Sequence, residues 1–200
     1  TGEGVFGFAS AAGVVAWSGH RRLRMMNPHG SGSSACQSRA VSDEEKQQVG
    51  AFIKSSGWRG LFMVELLRDP AGDLWFVEFN GRTWGSMALS RRQGFEYPAW
   101  AVGQALDASF VPADIPVGKS GLICRNLGRE IMHLLFVLRG PKSKAVQSWP
   151  SLGTTLRNVF GIGYPGSFYN WRRSDWKVFF ADAWETVRGQ VFKRKTNPET

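Results

Sequence analysis

Two short apolar runs each carry one carboxylate near their middle or end. Leu61-Phe-Met-Val-Glu-Leu-Leu67 and Leu74-Trp-Phe-Val-Glu-Phe-Asn80 are joined by Asp69-Pro70-Ala71-Gly72-Asp73, whose turn chemistry predicts a hairpin. Alternate side chains of a strand share a face. Met63, Glu65 and Leu67 therefore point one way from the first strand, and Phe76, Glu78 and Asn80 point one way from its partner. Arg82 continues that direction past the strand end. The second run is apolar on both faces and reads as buried, so Glu78 needs a cation or a hydrogen-bonding partner. Two carboxylates and an amide oxygen facing one cleft make a hard-oxygen site suited to Mg²⁺. An Arg two residues beyond the Asn would reach the phosphate oxygens such a metal bridges, with paired donors on a planar fork. The same spacing also fits a structural ion-pair network, and Glu65 alone fits an edge-strand charge kept in water.

The elements that must position these residues are legible around them. Val5–Ala9 and Val14–Trp17 flank Ala11-Ala12-Gly13 and predict an antiparallel hairpin. A basic cluster, His20-Arg21-Arg22-Leu23-Arg24, follows, and then His29-Gly-Ser-Gly-Ser-Ser34, which reads as flexible chain. Ser42-Asp43-Glu44-Glu45 opens a helix with a capping box, Val49, Phe52 and Ile53 give it an apolar face, and Gly57 ends it. Helices are expected at Ser86–Arg92 and about Tyr97–Leu106, then at Leu127–Leu138 and Asp175–Phe192, with irregular chain between the last two. Pro112 and Pro116 mark a compositional boundary.

Other motifs fail in context. Gly2-Glu-Gly4-Val-Phe-Gly7 spells a dinucleotide-binding fingerprint, but no strand precedes it and a strand, not a helix, follows. Gly118-Lys119-Ser120 imitates the end of a phosphate loop without its first Gly. His20, His29 and His133 form no ligand set with Cys36 and Cys124, and each reads as a local hydrogen-bonding residue. Two cysteines make a reducing, cytoplasmic compartment the default. The longest aliphatic or aromatic run, Leu134–Leu138, is too short to span a bilayer. The 200 residues are 42% apolar, enough for one globular core with an appendage, and open on Thr1 as a fragment or processed chain would.

Glu78-Phe-Asn80-Gly-Arg82 resembles the Glu-x-Asn-x-Arg signature of the ATP-grasp superfamily, which includes biotin carboxylase, carbamoyl phosphate synthetase and D-alanine–D-alanine ligase. The order of elements over residues 1–118 is similar too: the end of a lid, a basic segment, Gly57-Trp-Arg-Gly60, the two carboxylate-bearing strands, and the loop and helix after Asn80. The resemblance implies an α+β fold, an antiparallel sheet with flanking helices. It implies Glu65, Glu78 and Asn80 as ligands of Mg²⁺, with Mn²⁺ as a substitute. It implies Leu67 against adenine, His20 near the nucleotide, and Arg22 and Arg82 on the transferring phosphate. Ser86 stands where bicarbonate-activating relatives carry an acid, which argues against biotin carboxylation. The chemistry implied is ligation of a small carboxylate to an amine or similar nucleophile through an acyl phosphate. The family also needs an N-terminal half with phosphate-binding lysines, absent from these residues, so this chain alone is expected to hold half a nucleotide site.

The charge is divided unevenly. Residues 1–118 hold 11 Lys/Arg and 11 Asp/Glu, whereas residues 119–200 hold 14 against 5, so the whole net charge of +9 lies in the last 82 residues. Arg172, Arg173, Lys177 and Lys193-Arg194-Lys195 are interleaved there with Trp171, Trp176, Phe179, Phe180 and Trp184. This zone, 119–200, reads as a mainly helical basic extension. Packing on the core, an anionic membrane surface and, last for want of a recognition motif, nucleic acid are its three readings. Against the ligase stands a rival, a non-catalytic nucleotide-binding relic whose tail is an interaction module.

Overall fold

In the computed structural model of the chain, residues 1–142, 148–161 and 167–191 are described. Six strands hydrogen-bond in the order β5-β4-β1-β2-β3-β6. They are β1 (Gly2–Ser10), β2 (Gly13–Met25), β3 (Ser33–Arg39), β4 (Gly60–Arg68), β5 (Leu74–Asn80) and β6 (Ile123–Arg125). The pairings β1–β2, β1–β4 and β4–β5 are antiparallel. Among the described residues six α-helices accompany the strands: α1 (Asp43–Ser56), α2 (Met87–Arg91), α3 (Tyr97–Leu106), α4 (Leu127–Arg139), α5 (Leu152–Gly161) and α6 (Trp176–Val191). The fold class is therefore α+β, as expected. The backbone divides into two compact units, Thr1–Leu23 with Cys36–Cys124, and Arg24–Ala35 with Arg125–Thr200.

In the first unit both faces of the sheet are covered. On one face Val5, Ala9, Phe62, Val64 and Leu66 pack with Val49 and Ile53 of α1. Helix α1 starts where its capping box requires: the Ser42 hydroxyl accepts from the Glu45 amide and the Glu45 carboxylate accepts from the Ser42 amide. It stops at Gly57, whose φ of 65° is left-handed backbone that favours glycine. On the other face Phe6, Phe8, Ala16, Leu61 and Met63 pack with Trp84, Met87, Phe95, Tyr97 and Trp100 from α2, α3 and the chain before each.

Three expectations are corrected here. Strand β5 is the outer strand of the sheet and exposed over most of its length, with Trp75 62% and Phe76 59% exposed. Its apolar composition does not signal burial, because an edge strand has a neighbour on one side only. The register also shifts between Glu65 and Leu66, so Phe76 lies opposite Leu66 and Trp75 opposite Leu67. This bulge turns Phe76 to the α1 face, where its ring meets Phe52 at 5.8 Å, away from Glu78 and Asn80. Finally, Ser33 and Ser34 are not flexible chain but the buried start of β3, where backbone pairing outweighs their low β propensity.

In the second unit Asn126 caps α4 by accepting from the Arg129 amide. Glu130, on the first turn of α4, is buried and forked by Arg24 at 2.6 and 3.1 Å, with Arg125 4.0 Å away. The Arg125 guanidinium lies over the Phe168 ring at 4.5 Å and donates to the Val159 carbonyl. His133 donates from Nδ1 to the Met25 carbonyl, and burial lowers its pKa. Helix α5 falls in the stretch read as irregular; its Gly153, Thr154 and Thr155 are poor helix formers, and Ser151 caps it by accepting from the Thr154 amide. Within α6, Phe179 and Ala183 are the buried residues. Lys193, Arg194 and Lys195 lie outside the described residues.

Candidate functional site

The register brings one row of residues across four strands. Glu78 of β5 lies directly opposite Glu65 of β4; Glu65 pairs with Gly4 of β1; and Gly4 pairs with His20 of β2. Like charges placed opposite one another repel unless something of opposite sign stands by them. Here Arg22, two residues after His20 on the same face, forms an ion pair with Glu65, both side chains being largely buried. Glu78 has no Arg or Lys partner among the described residues; Asn80 donates to it from Nδ2 at 2.7 Å.

Arg22 reaches Glu65 by crossing β1, and Gly2 is what lets it. A Cβ at Gly2 would stand 2.6 Å from Arg22 Cδ. A Cβ at Gly4 would stand 2.9 Å from His20 Nε2 and 2.7 Å from the Phe6 ring. The two glycines thus open a trough down the middle of the sheet face, over which side chains of β2 lean toward β4. Gly7, on the opposite face, likewise yields to the Phe62 ring. The Gly-x-Gly-x-x-Gly string therefore does make close approaches, of side chains in a sheet rather than of a dinucleotide.

His20 is 2% exposed and neutral: burial first, then the positive charges of Arg22 and Arg39, push its pKa down to about 3. Its Nδ1 shares a 2.8 Å hydrogen bond with the Ser86 hydroxyl, at the start of α2. Its Nε2 is buried without a partner, as are Arg22 Nε and Trp84 Nε1. Phe6 holds the assembly, with His20 edge-on at 4.8 Å and Trp84 stacked at 4.6 Å.

The structure thus gathers Glu65, Glu78, Asn80 and Arg22, with His20 one glycine away in the same row. Leu67 is next to them on the Glu65 face and half exposed. Arg82 is not drawn into the cluster; it is exposed beyond the end of β5 and donates to the Thr83 carbonyl. Sequence alternation finds the two carboxylates and Asn80. It misses Ser86 as the partner of His20 and the part played by Gly2 and Gly4, for which the signal was glycine at alternate strand positions.

Among the described residues no three His, Cys, Asp or Glu side chains converge on a metal position. The two opposed carboxylates and the Asn80 amide, whose oxygen a half-turn presents in place of the nitrogen, nevertheless fit a small hard cation such as Mg²⁺ or Mn²⁺. The donor set is all oxygen, and the paired negative charge is only half neutralised by Arg22.

No family model matches the chain, and no curated protein matches its sequence. Among solved structures, biotin carboxylase from Campylobacter jejuni, as a β,γ-ATP complex, is similar over 61% of this chain and 28% of its own, at 17% identity and a TM-score of 0.48. N5-carboxyaminoimidazole synthetase from Staphylococcus aureus, complexed with ADP, is similar over 67% and 36%, at 18% identity and 0.48. L-amino acid ligase from Bacillus licheniformis is similar over 58% and 33%, at 18% identity and 0.44. The chain spans about a third of the length of these structures.

Proposed function

We propose that the first unit is the metal- and phosphate-binding part of an ATP-grasp ligase, and that the protein joins a small carboxylate to an amine or similar nucleophile at the expense of ATP. One observation carries this reading: Glu65 and Glu78 face each other across β4 and β5, with one Arg and one amide beside them, so the pair is short of positive charge. The resemblance of Glu78-Phe-Asn80-Gly-Arg82 to the ATP-grasp signature supports it.

Glu65, Glu78 and Asn80 would hold Mg²⁺ or Mn²⁺, which would supply charge neutralisation to the phosphates of the nucleotide. The protein's own side chains do the rest. A substrate carboxylate oxygen bonds to the γ-phosphorus as the bridging P–O bond breaks and ADP leaves. The nucleophile then bonds to the acyl carbon, the C–O bond to phosphate breaks, and inorganic phosphate leaves with the amine's proton lost to solvent. Arg22 offers Nε, buried and without a partner, to an oxygen of the transferring phosphate beside Glu65. Arg82 would come to the same group through its exposed guanidinium, and Leu67 offers an apolar wall to adenine. Neutral His20, fixed by Ser86, offers Nε2 as acceptor or donor at the trough.

A second reading, a nucleotide-binding relic without turnover, is favoured by the ion pair that already engages Glu65. Kinetics and metal titration on the protein in its natural full length separate the two. Glu78→Gln is expected to lower ATP-dependent ADP release by on the order of a hundredfold or more, with Mn²⁺ affinity falling in parallel. Near-normal turnover by that variant would refute the assignment. Mn²⁺ binding without ADP release by the unaltered protein establishes the relic.

A further inference from the structure

Helix α6 has two faces of opposite character. Phe179 and Ala183 are buried; Phe179 meets the rings of Phe168 and Trp171 at 5.3 and 5.1 Å, and Gly128 of α4 lets the Ala183 carbonyl and Thr186 come close. That face satisfies the helix's packing. Yet Trp176, Phe180 and Trp184, at i, i+4 and i+8, form a second stripe of large aromatics, each more than half exposed. Burying such rings is worth far more than leaving them in water, so the stripe is an unmet driving force.

The charges beside the stripe say what it fits. Arg172 and Arg173 are exposed just before the helix, and Lys177 Nζ lies 5.9 Å from the Trp176 ring centroid. Among the described residues none of these three has a carboxylate partner. Of the segment's acids, Glu185 pairs with Arg188, Asp182 accepts from Asn126 and Asn170, and Asp175 accepts from the neighbouring Ser174 hydroxyl. The segment therefore shows a partner cations and aromatic rings together, on a background of +9 over residues 119–200. No described helix is long and apolar enough to cross a membrane.

We propose that α6 lies along an anionic lipid surface, its Trp176–Phe180–Trp184 stripe at headgroup depth and Arg172, Arg173 and Lys177 against lipid phosphates. Indole rings suit that boundary, being apolar with one polar N–H, and lysine and arginine stems reach from it to the headgroups. The stripe winds about 80° around the helix from Trp176 to Trp184, an arc narrow enough for one flat interface to cover. The ligase reading neither supports nor requires this inference.

The test is co-sedimentation of the full chain with phosphatidylcholine vesicles, with and without phosphatidylserine, and with acyl chains brominated to quench tryptophan. The expected result is binding to the phosphatidylserine vesicles alone, quenching by bromine, and loss of binding by about tenfold or more as salt shortens the screening length from about 10 Å to about 3 Å. Trp176→Ser with Trp184→Ser, or Arg172→Glu with Arg173→Glu, should each weaken binding by about tenfold or more. Leu106→Ser, at a still more exposed apolar position on α3, should leave it unchanged. Circular dichroism checks each variant, and Phe180→Ser is read in place of any that loses its helices. No sedimentation at low salt, or no bromine quenching of the unaltered protein, overturns the proposal. So does binding that the aromatic variants leave intact, which would be charge adsorption alone. Retention on single-stranded RNA that the same variants weaken equally would assign the stripe to nucleic acid instead.

Discussion

The two faces of the sheet in the first unit treat their carboxylates in opposite ways. On the α1 face, Glu3 and Glu45 are met by Arg39 and Arg68 in a closed square: Arg39 to Glu3 at 2.9 Å and to Glu45 at 2.7 Å, Arg68 to Glu3 at 2.9 Å and to Glu45 at 3.5 Å. Each acid touches two cations and each cation two acids. One residue further along β1, on the other face, Glu65 and Glu78 share a single Arg. A closed square with every partner supplied holds β1, β3, β4 and the start of α1 together, and leaves nothing for a ligand to add. The open pair leaves negative charge that only an added cation completes. The two sets of carboxylates are indistinguishable by composition; what separates them is the count of cation partners.

That contrast breaks first at Glu45. Glu45→Ala removes one corner of the square and half of the capping box, leaving Arg39 and Arg68 on Glu3 alone. Its cost to stability is expected to be about 3 kcal/mol or more by urea unfolding. Burial raises the Glu45 pKa, but hydrogen bonds from Arg39 and Ser42 outweigh it and the net shift is downward. Its stabilisation is thus complete above its unfolded pKa and lost as pH falls through the lower folded one. The loss in Glu45→Ala should accordingly shrink in strong acid.

Next in size is the pH response of His20. Its folded pKa of about 3 lies below the unfolded value of 6.5, so the unfolded chain binds the proton first and stability falls as pH drops from 6.5 toward 3. Between pH 7 and 5 the loss should be about 2 kcal/mol, at about 1.4 kcal/mol per pH unit below 6.5. His20→Gln should flatten that slope; an unchanged slope would place the titrating group elsewhere. Gly4→Ala should cost about 1–2 kcal/mol, because its methyl would enter the space of the His20 and Phe6 rings. Smallest of all is Glu78→Ala, expected within about 0.5 kcal/mol, since Glu78 is exposed and has no cation partner among the described residues. A large loss there would make Glu78 a structural residue and close the open pair.

Local signals were readable and long-range ones were not. The capping box at Ser42, the left-handed Gly57 and the bounds of α3 follow from neighbours in the chain, and the structure has them where the sequence puts them. Alternation located Glu65, Glu78 and Asn80 because strands have a fixed period. Phe76 was misplaced because a bulge is a matter of pairing, which composition does not carry. The ion pair from Arg22 to Glu65 joins residues 43 apart and depends on Gly2 lying between them in the sheet. The start of β3, Ser33 and Ser34, is hidden for a similar reason: serine and glycine describe what a free chain prefers, whereas strand partners are set by register. Ser86 was noted for what relatives carry there, not for the imidazole it holds.

The bulge in β5 has a consequence for the protein in concentrated solution. A sheet's outer strand offers unsatisfied amides and carbonyls on which a second copy could grow an intermolecular ladder, and here that rim carries Trp75, Phe76 and Val77. The register break at Val77 divides it into two short stretches, one ending at Phe76 and one beginning at Glu78. A stacking partner would have to reproduce the same kink and bring its own Glu78 against this one. Colloidal stability should therefore depend on charge at that residue: a neutral substitution there is what would permit the rims to join.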